Sequence, residues 1–149
     1  MKFLLGTEAL KQLLKSGDVT LAAADVAVSE ISFQWLLADI ERSARLKPDD
    51  RIQWRSNVVN FRQLLVAQGG RVLGLSRAAI EIWGRLAVMD LAHTPPATAR
   101  GKPAKPKPLA SEERLVIATA IELGLIYLTP LRDWIGRLSD AHGLAYKAI

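Results

Sequence analysis

The sequence predicts an α/β fold, a mostly parallel sheet covered by helices on both faces. Short apolar runs alternate with stretches of helical periodicity along the whole 149-residue chain. The runs FLL and LIYL are continuous rather than alternating, as strands buried on both faces require. Parallel strands joined through helices imply right-handed crossovers.

The elements follow in order. The first strand is Lys2–Leu5, closing on Gly6, and Thr7-Glu8 open a helix over Glu8–Lys15. Gly17 stands where that helix needs a left-handed terminal residue. A second strand spans Thr20–Val28, its limits blurred by alanines, and helices Glu30–Arg45 and Asp49–Ala67 follow. Gly69-Gly70 lead into a third strand, Arg71–Leu75, after which Ser76 caps a helix over Arg77–Ala92. Ser111 is placed as the cap of a helix over Glu112–Leu123, which Gly124 ends. The fourth strand is Leu125–Thr129, a helix covers Leu131–Ala141, and a fifth strand is Leu144–Ala148.

One segment differs in composition. HTPPATARGKPAKPKPLA (residues 93–110) holds five of the seven prolines and four basic residues with no acid. Such proline density forbids helix and favours an extended, solvated loop. Its lysines, Lys102, Lys105 and Lys107, either rest on phosphates of a nucleic acid or simply keep a surface insertion wet.

Composition sets the outer limits. The chain is long enough for one domain, residues 1–149, that buries roughly 70% of its unfolded surface. Half of its residues are hydrophobic and 23% charged, which is a globular balance. It has no cysteine, so disulfides and thiolate metal sites are excluded. FLLG is too short for a signal-peptide core, and LVIATAIELGLIYL is interrupted by Glu122 and Gly124, so no membrane span is expected. The expectation is a soluble, cytoplasmic protein whose net charge of +5 mildly favours anionic partners.

Few residues offer chemistry. His93 and His142 lack metal-ligand spacing and read as surface residues, and no Gly-rich phosphate loop follows a strand. Trp35, Trp54, Trp83 and Trp134 read as core or groove residues. In an open parallel sheet, ligands bind beyond the carboxyl ends of strands where the strand order reverses. Carboxylates expected there are Glu8, Glu112, Glu113 and Asp133, oxygen donors suited to a hard divalent cation. Acids in a first helical turn also complement the helix dipole, which leaves a plainer role open for each.

The pattern resembles the PIN-domain family, in particular VapC-type toxins of bacterial toxin–antitoxin pairs. The family's opening strand and D-T-N-x-L resemble MKFLLGTEAL, with Gly6, Thr7, Glu8 and Leu10 in those places. Its S-x-I-T-x-x-E-L helix resembles SEISFQWLL, where Ser29, Ile31 and Ser32 match and Trp35 replaces the glutamate. GGRVLGLSRAAIEIWGRL resembles the third strand and its helix. ASEERLVIATAIELGLIYLTPLRDW resembles D-x-x-I-A-A-T-A…G-L-x-L-V-T-x-x-x-D-F, with Glu113 for the third acid, Thr129 for the threonine and Asp133 for the last acid. The likeness covers nearly the whole chain apart from the proline–lysine loop.

The resemblance implies a three-layer α/β/α PIN-like fold with a central five-stranded sheet in the order 3-2-1-4-5. It also implies an acidic cluster that holds Mg²⁺ or Mn²⁺ and activates water for RNA cleavage, an antitoxin partner and a homodimer. This chain departs where that chemistry lies: Gly6 replaces the first aspartate and Trp35 the glutamate. The resulting expectation is a VapC-like protein with a degenerate nuclease site, acting mainly by binding an antitoxin, itself or RNA. The alternative is an active Mg²⁺- or Mn²⁺-dependent ribonuclease toxin that uses Glu8, Glu113 and Asp133, with Glu30 or Asp39 as compensating acids.

Overall fold

The computed structural model describes residues 1–17, 21–97 and 100–149. Five strands form one parallel sheet: β1 (Phe3–Leu5), β2 (Val26–Ser29), β3 (Arg71–Leu73), β6 (Ile126–Thr129) and β7 (Tyr146–Ala148). Their order is β3-β2-β1-β6-β7, the order the resemblance implies, with FLL and LIYL adjacent at the centre. The chain builds outward from β1 to β3, then returns to place β6 on the other side of β1. The order therefore reverses between β1 and β6, and the crevice at their carboxyl ends is the natural ligand position.

Alternation along each strand divides the core into two layers. Phe3, Leu5, Val26, Val28 and Leu128 pack with Leu10, Phe33, Leu36 and Val58 of α1 (Thr7–Ser16), α2 (Glu30–Arg42) and α3 (Pro48–Ala67). Leu4, Ala27 and Tyr127 pack on the opposite face with Leu86, Val116, Ile117 and Leu138 of α4 (Arg77–Ala87), α5 (Ser111–Leu123) and α6 (Ile135–His142). Tyr127 is thus a core residue of the second layer, almost fully buried and set opposite Leu4 in register.

Several boundaries match the sequence reading. Gly17 and Gly124 take the left-handed conformation and close α1 and α5, and Ser76 accepts a hydrogen bond from the Ala79 N–H at the start of α4. Others do not. β2 begins at Val26, because Ala23–Asp25 form a single 3₁₀ turn whose Asp25 carbonyl accepts from the Lys2 N–H (Thr20 lies outside the described residues). Ser111 is the first residue of α5 rather than its cap: Ala110 holds the extended cap conformation, and the Arg114 N–H already bonds the Ala110 carbonyl. α4 stops at Ala87 because the buried Arg114 guanidinium draws off the Leu86 and Met89 carbonyls, each at 2.6 Å. α6 starts at Ile135, four residues later than expected, after the turn that follows Pro130.

The described residues of the proline–lysine segment are largely exposed, as expected, and its two ends are held to each other. β4 (Ala92–His93) pairs antiparallel with β5 (Lys107–Pro108), and the Leu109 N–H bonds the Leu91 carbonyl. Pro95 and Pro96, which follow β4, line the crevice. No helix among the described residues is long and apolar enough to cross a membrane.

Candidate functional site

The crevice is a cleft of about 450 Å³ beyond β1 and β6. Its floor comes from the first residues of α1 and α5 and from the end of β6: Thr7, Glu113, Tyr127 and Thr129. Its rim carries the cations Lys11, Lys107 and Arg132 and the half-buried indole of Trp35. Pro95, Pro96 and Pro108 of the basic segment form one wall.

Glu113 is the acid at the centre. It sits in the first turn of α5 and is buried, 7% exposed. The Thr7 N–H donates to its Oε1 at 3.1 Å, and the Tyr127 hydroxyl donates to the same oxygen. Oε2 is buried with no partner among the described residues. Burial pushes the Glu113 carboxyl above its ordinary range, the bonds from Thr7 and Tyr127 oppose that, and the Glu8 charge adds to it. The Tyr127 phenol is in turn held well above its ordinary value, by burial first and by Glu113 second. The Thr7 hydroxyl lies 2.9 Å from Ser32 Oγ, which joins α2 to the same network.

Gly6 precedes this cluster as the cap of α1. Its φ of −66° suits any residue, so the need for glycine is one of space. A Cβ there would lie 2.6 Å from the Tyr127 hydroxyl oxygen, 2.8 Å from Cζ of the same ring and 2.9 Å from the Leu128 carbonyl oxygen. The position at which the resemblance puts an aspartate is filled by a phenol from β6.

Most of the other candidate acids have partners of their own. Glu8 also lines the cleft, where its exposed carboxylate pairs with Arg132. Asp133 accepts from the Thr94 N–H at 2.9 Å, and its own N–H donates to His93 Nδ1 at 3.2 Å, so it anchors the β4 end of the basic segment. Glu112 is exposed, Glu30 pairs with Arg62, and Asp39 lies 3.5 Å from Lys11. Thr129 is buried and donates to the Pro130 carbonyl. Of the three loop lysines, Lys107 lines the cleft, while Lys102 and Lys105 are exposed outside its lining. His93 is half-buried rather than a free surface residue.

A divalent cation of the kind the resemblance implies needs several converging oxygens. Here one buried carboxyl is present with one of its oxygens already accepting two hydrogen bonds, and the rim's own acid, Glu8, is paired with Arg132 alongside the cations Lys11 and Lys107. No three His, Asp or Glu side chains among the described residues come together as ligands. This donor set does not fit such an ion.

Three residues of the cleft escape a linear reading: Tyr127, Arg132 and Lys11. Tyr127 alone left a trace, as the one polar-tipped residue in LIYL, standing where the G-L-x-L-V-T pattern has leucine.

The parallel sheet, its order and the helices on both faces define a three-layer α/β/α PIN-like fold. Solved structures share it. A chain in the crystal structure of VapBC2 from Rickettsia felis, bound to a DNA fragment from its promoter, aligns with a TM-score of 0.66 at 15% identity, over 100% of this chain and 99% of that one. A chain of DNA-bound VapBC from Salmonella typhimurium aligns with a TM-score of 0.64 at 15% identity, over 99% and 98%. A chain of FitAcB from Neisseria gonorrhoeae gives 0.61 at 17% identity, over 97% and 95%. No protein-family model and no curated protein sequence matches the chain.

Proposed function

We propose that this chain is a VapC-like partner of an antitoxin whose cleft binds RNA, or the antitoxin itself, without metal-dependent cleavage. The motif resemblance supports the family, and the VapBC complexes that share its fold support an antitoxin partner. The observation that carries the loss of cleavage is the divergence of the acids: Glu8 on Arg132, Asp133 on Thr94, and Glu113 alone on the floor. Metal-assisted phosphoryl chemistry needs an ion that neutralises developing charge and generates a nucleophilic water. A single buried carboxyl with raised proton affinity supplies neither.

What remains favours binding. Lys11, Lys107 and Arg132 suit phosphates, and the Trp35 face suits a base or a cationic side chain. A homodimer belongs to the same reading. The test is single-stranded RNA incubated with the purified chain and Mn²⁺. Retention without cleavage is the expected result. Cleavage that Glu113→Gln or Asp133→Asn abolishes would establish the alternative, an active ribonuclease.

A further inference from the structure

Beside the diverging acids, one further side chain sets this cleft apart from a cation site, an inference that rests on the binding reading above. We infer that Tyr127 closes the acidic end of the cleft to a cation, by filling the space into which a side chain at position 6 would project and by engaging Glu113 through its hydroxyl.

Three observations carry this. Gly6 has no conformational reason to be glycine, and the two closest obstacles to a Cβ there belong to Tyr127. The Tyr127 ring cannot swing aside: it is 1% exposed, lies on an inner strand between β1 and β7, and packs against Trp134 with ring centroids 6.4 Å apart. Its hydroxyl donates to the same Glu113 oxygen that takes the Thr7 N–H, so a neutral donor stands where a cation would compete. Trp35, the other departure from the family pattern, is the weaker candidate. It is half-buried on the cleft rim, with Lys11 Nζ 5.9 Å from its ring centroid, and is not among the atoms nearest a Cβ at position 6. Positions 6 and 127 are therefore mutually exclusive: a phenol at one demands no side chain at the other.

A double-mutant cycle in urea tests the exclusion. Gly6→Ala should lower the folding equilibrium constant about tenfold or more in the natural chain. In the Tyr127→Leu background the same change should lower it several-fold less. An equal loss in both backgrounds overturns the inference. If Tyr127→Leu does not fold, Tyr127→Val replaces it, since it likewise removes both the hydroxyl and Cζ; a Gly6→Ala loss unchanged in that background overturns the inference equally.

Calorimetry with Mn²⁺ alone tests the chemistry. The folded double variant Gly6→Asp with Tyr127→Leu should take up the ion, whereas Gly6→Asp alone should either fail to fold or leave Mn²⁺ unbound. Uptake by Gly6→Asp alone, or none by the folded double variant, overturns the role of Tyr127. Uptake by the natural protein instead overturns the parent reading, so the two failures are told apart.

Discussion

Tyr127→Phe should destabilise the protein, and by more as pH rises. The change removes one hydroxyl from the core and leaves Glu113 Oε1 with the Thr7 N–H as its backbone donor. While Glu113 is neutral the lost bond costs about 1 kcal/mol, and when Glu113 is ionised about 1.5–3 kcal/mol. The sign follows from linkage. Burial raises the folded-state affinity of Glu113 for its proton above the ordinary value of 4.5. Its contribution to stability is therefore fully present below about pH 4.5 and is lost as pH rises through the raised folded value. Removing the phenol takes away a bond that favours the ionised form, so that loss becomes deeper. At about 2–4 °C per kcal/mol for a chain of this size, the melting temperature should fall by roughly 2–4 °C at low pH and by more at high pH. Urea midpoints at a series of pH values, with unchanged m-values, measure it directly. A neutral substitution, or a loss that shrinks as pH rises, would refute the Tyr127–Glu113 bond as drawn.

The neighbouring side chains are open to the same kind of test. Glu113→Gln should flatten the dependence of stability on pH above about 4.5, because the group that titrates is gone; denaturation at pH 5 and pH 8 checks it. Arg132→Ala removes an ion pair with an exposed Glu8 and should cost no more than about 1 kcal/mol, read from the urea midpoint. Asp133→Ala should loosen the β4 end of the basic segment by removing the acceptor of the Thr94 N–H and speed amide exchange there, whereas Asp133→Asn keeps an acceptor and should not. If RNA binds, replacing Lys102, Lys105 and Lys107 with glutamine should flatten the slope of log affinity against log salt by about one unit for each phosphate that a lysine no longer neutralises.

The sheet was legible because its evidence is local. FLL and LIYL are apolar without alternation, which places them at the centre, and helix ends are marked by the left-handed Gly17 and Gly124 and by the side-chain cap of Ser76. The site was legible only as a set of positions. Glu113 stands where the motif puts it, but what it touches depends on approaches across the chain: Thr7 is 106 residues away, and Arg132 meets Glu8 across 124. Asp133 could not be placed on His93 and Thr94 before the pairing of residues 93 and 107 was known. The glycine at position 6 was readable as a departure from the family pattern. That the space beside it is filled from β6 was not, because it depends on the register that sets Tyr127 opposite Leu4. The start of β2 and the end of α4 were missed for a similar reason, since long-range bonds from Lys2 and Arg114 set them.

The most direct test of the account is a calorimetric titration of the natural protein with Mn²⁺ near neutral pH, with RNA absent. Diverging acids and a phenol on Glu113 predict no saturable binding at millimolar concentrations. A saturable site that Glu113→Gln removes would contradict the account and restore the metal-dependent ribonuclease.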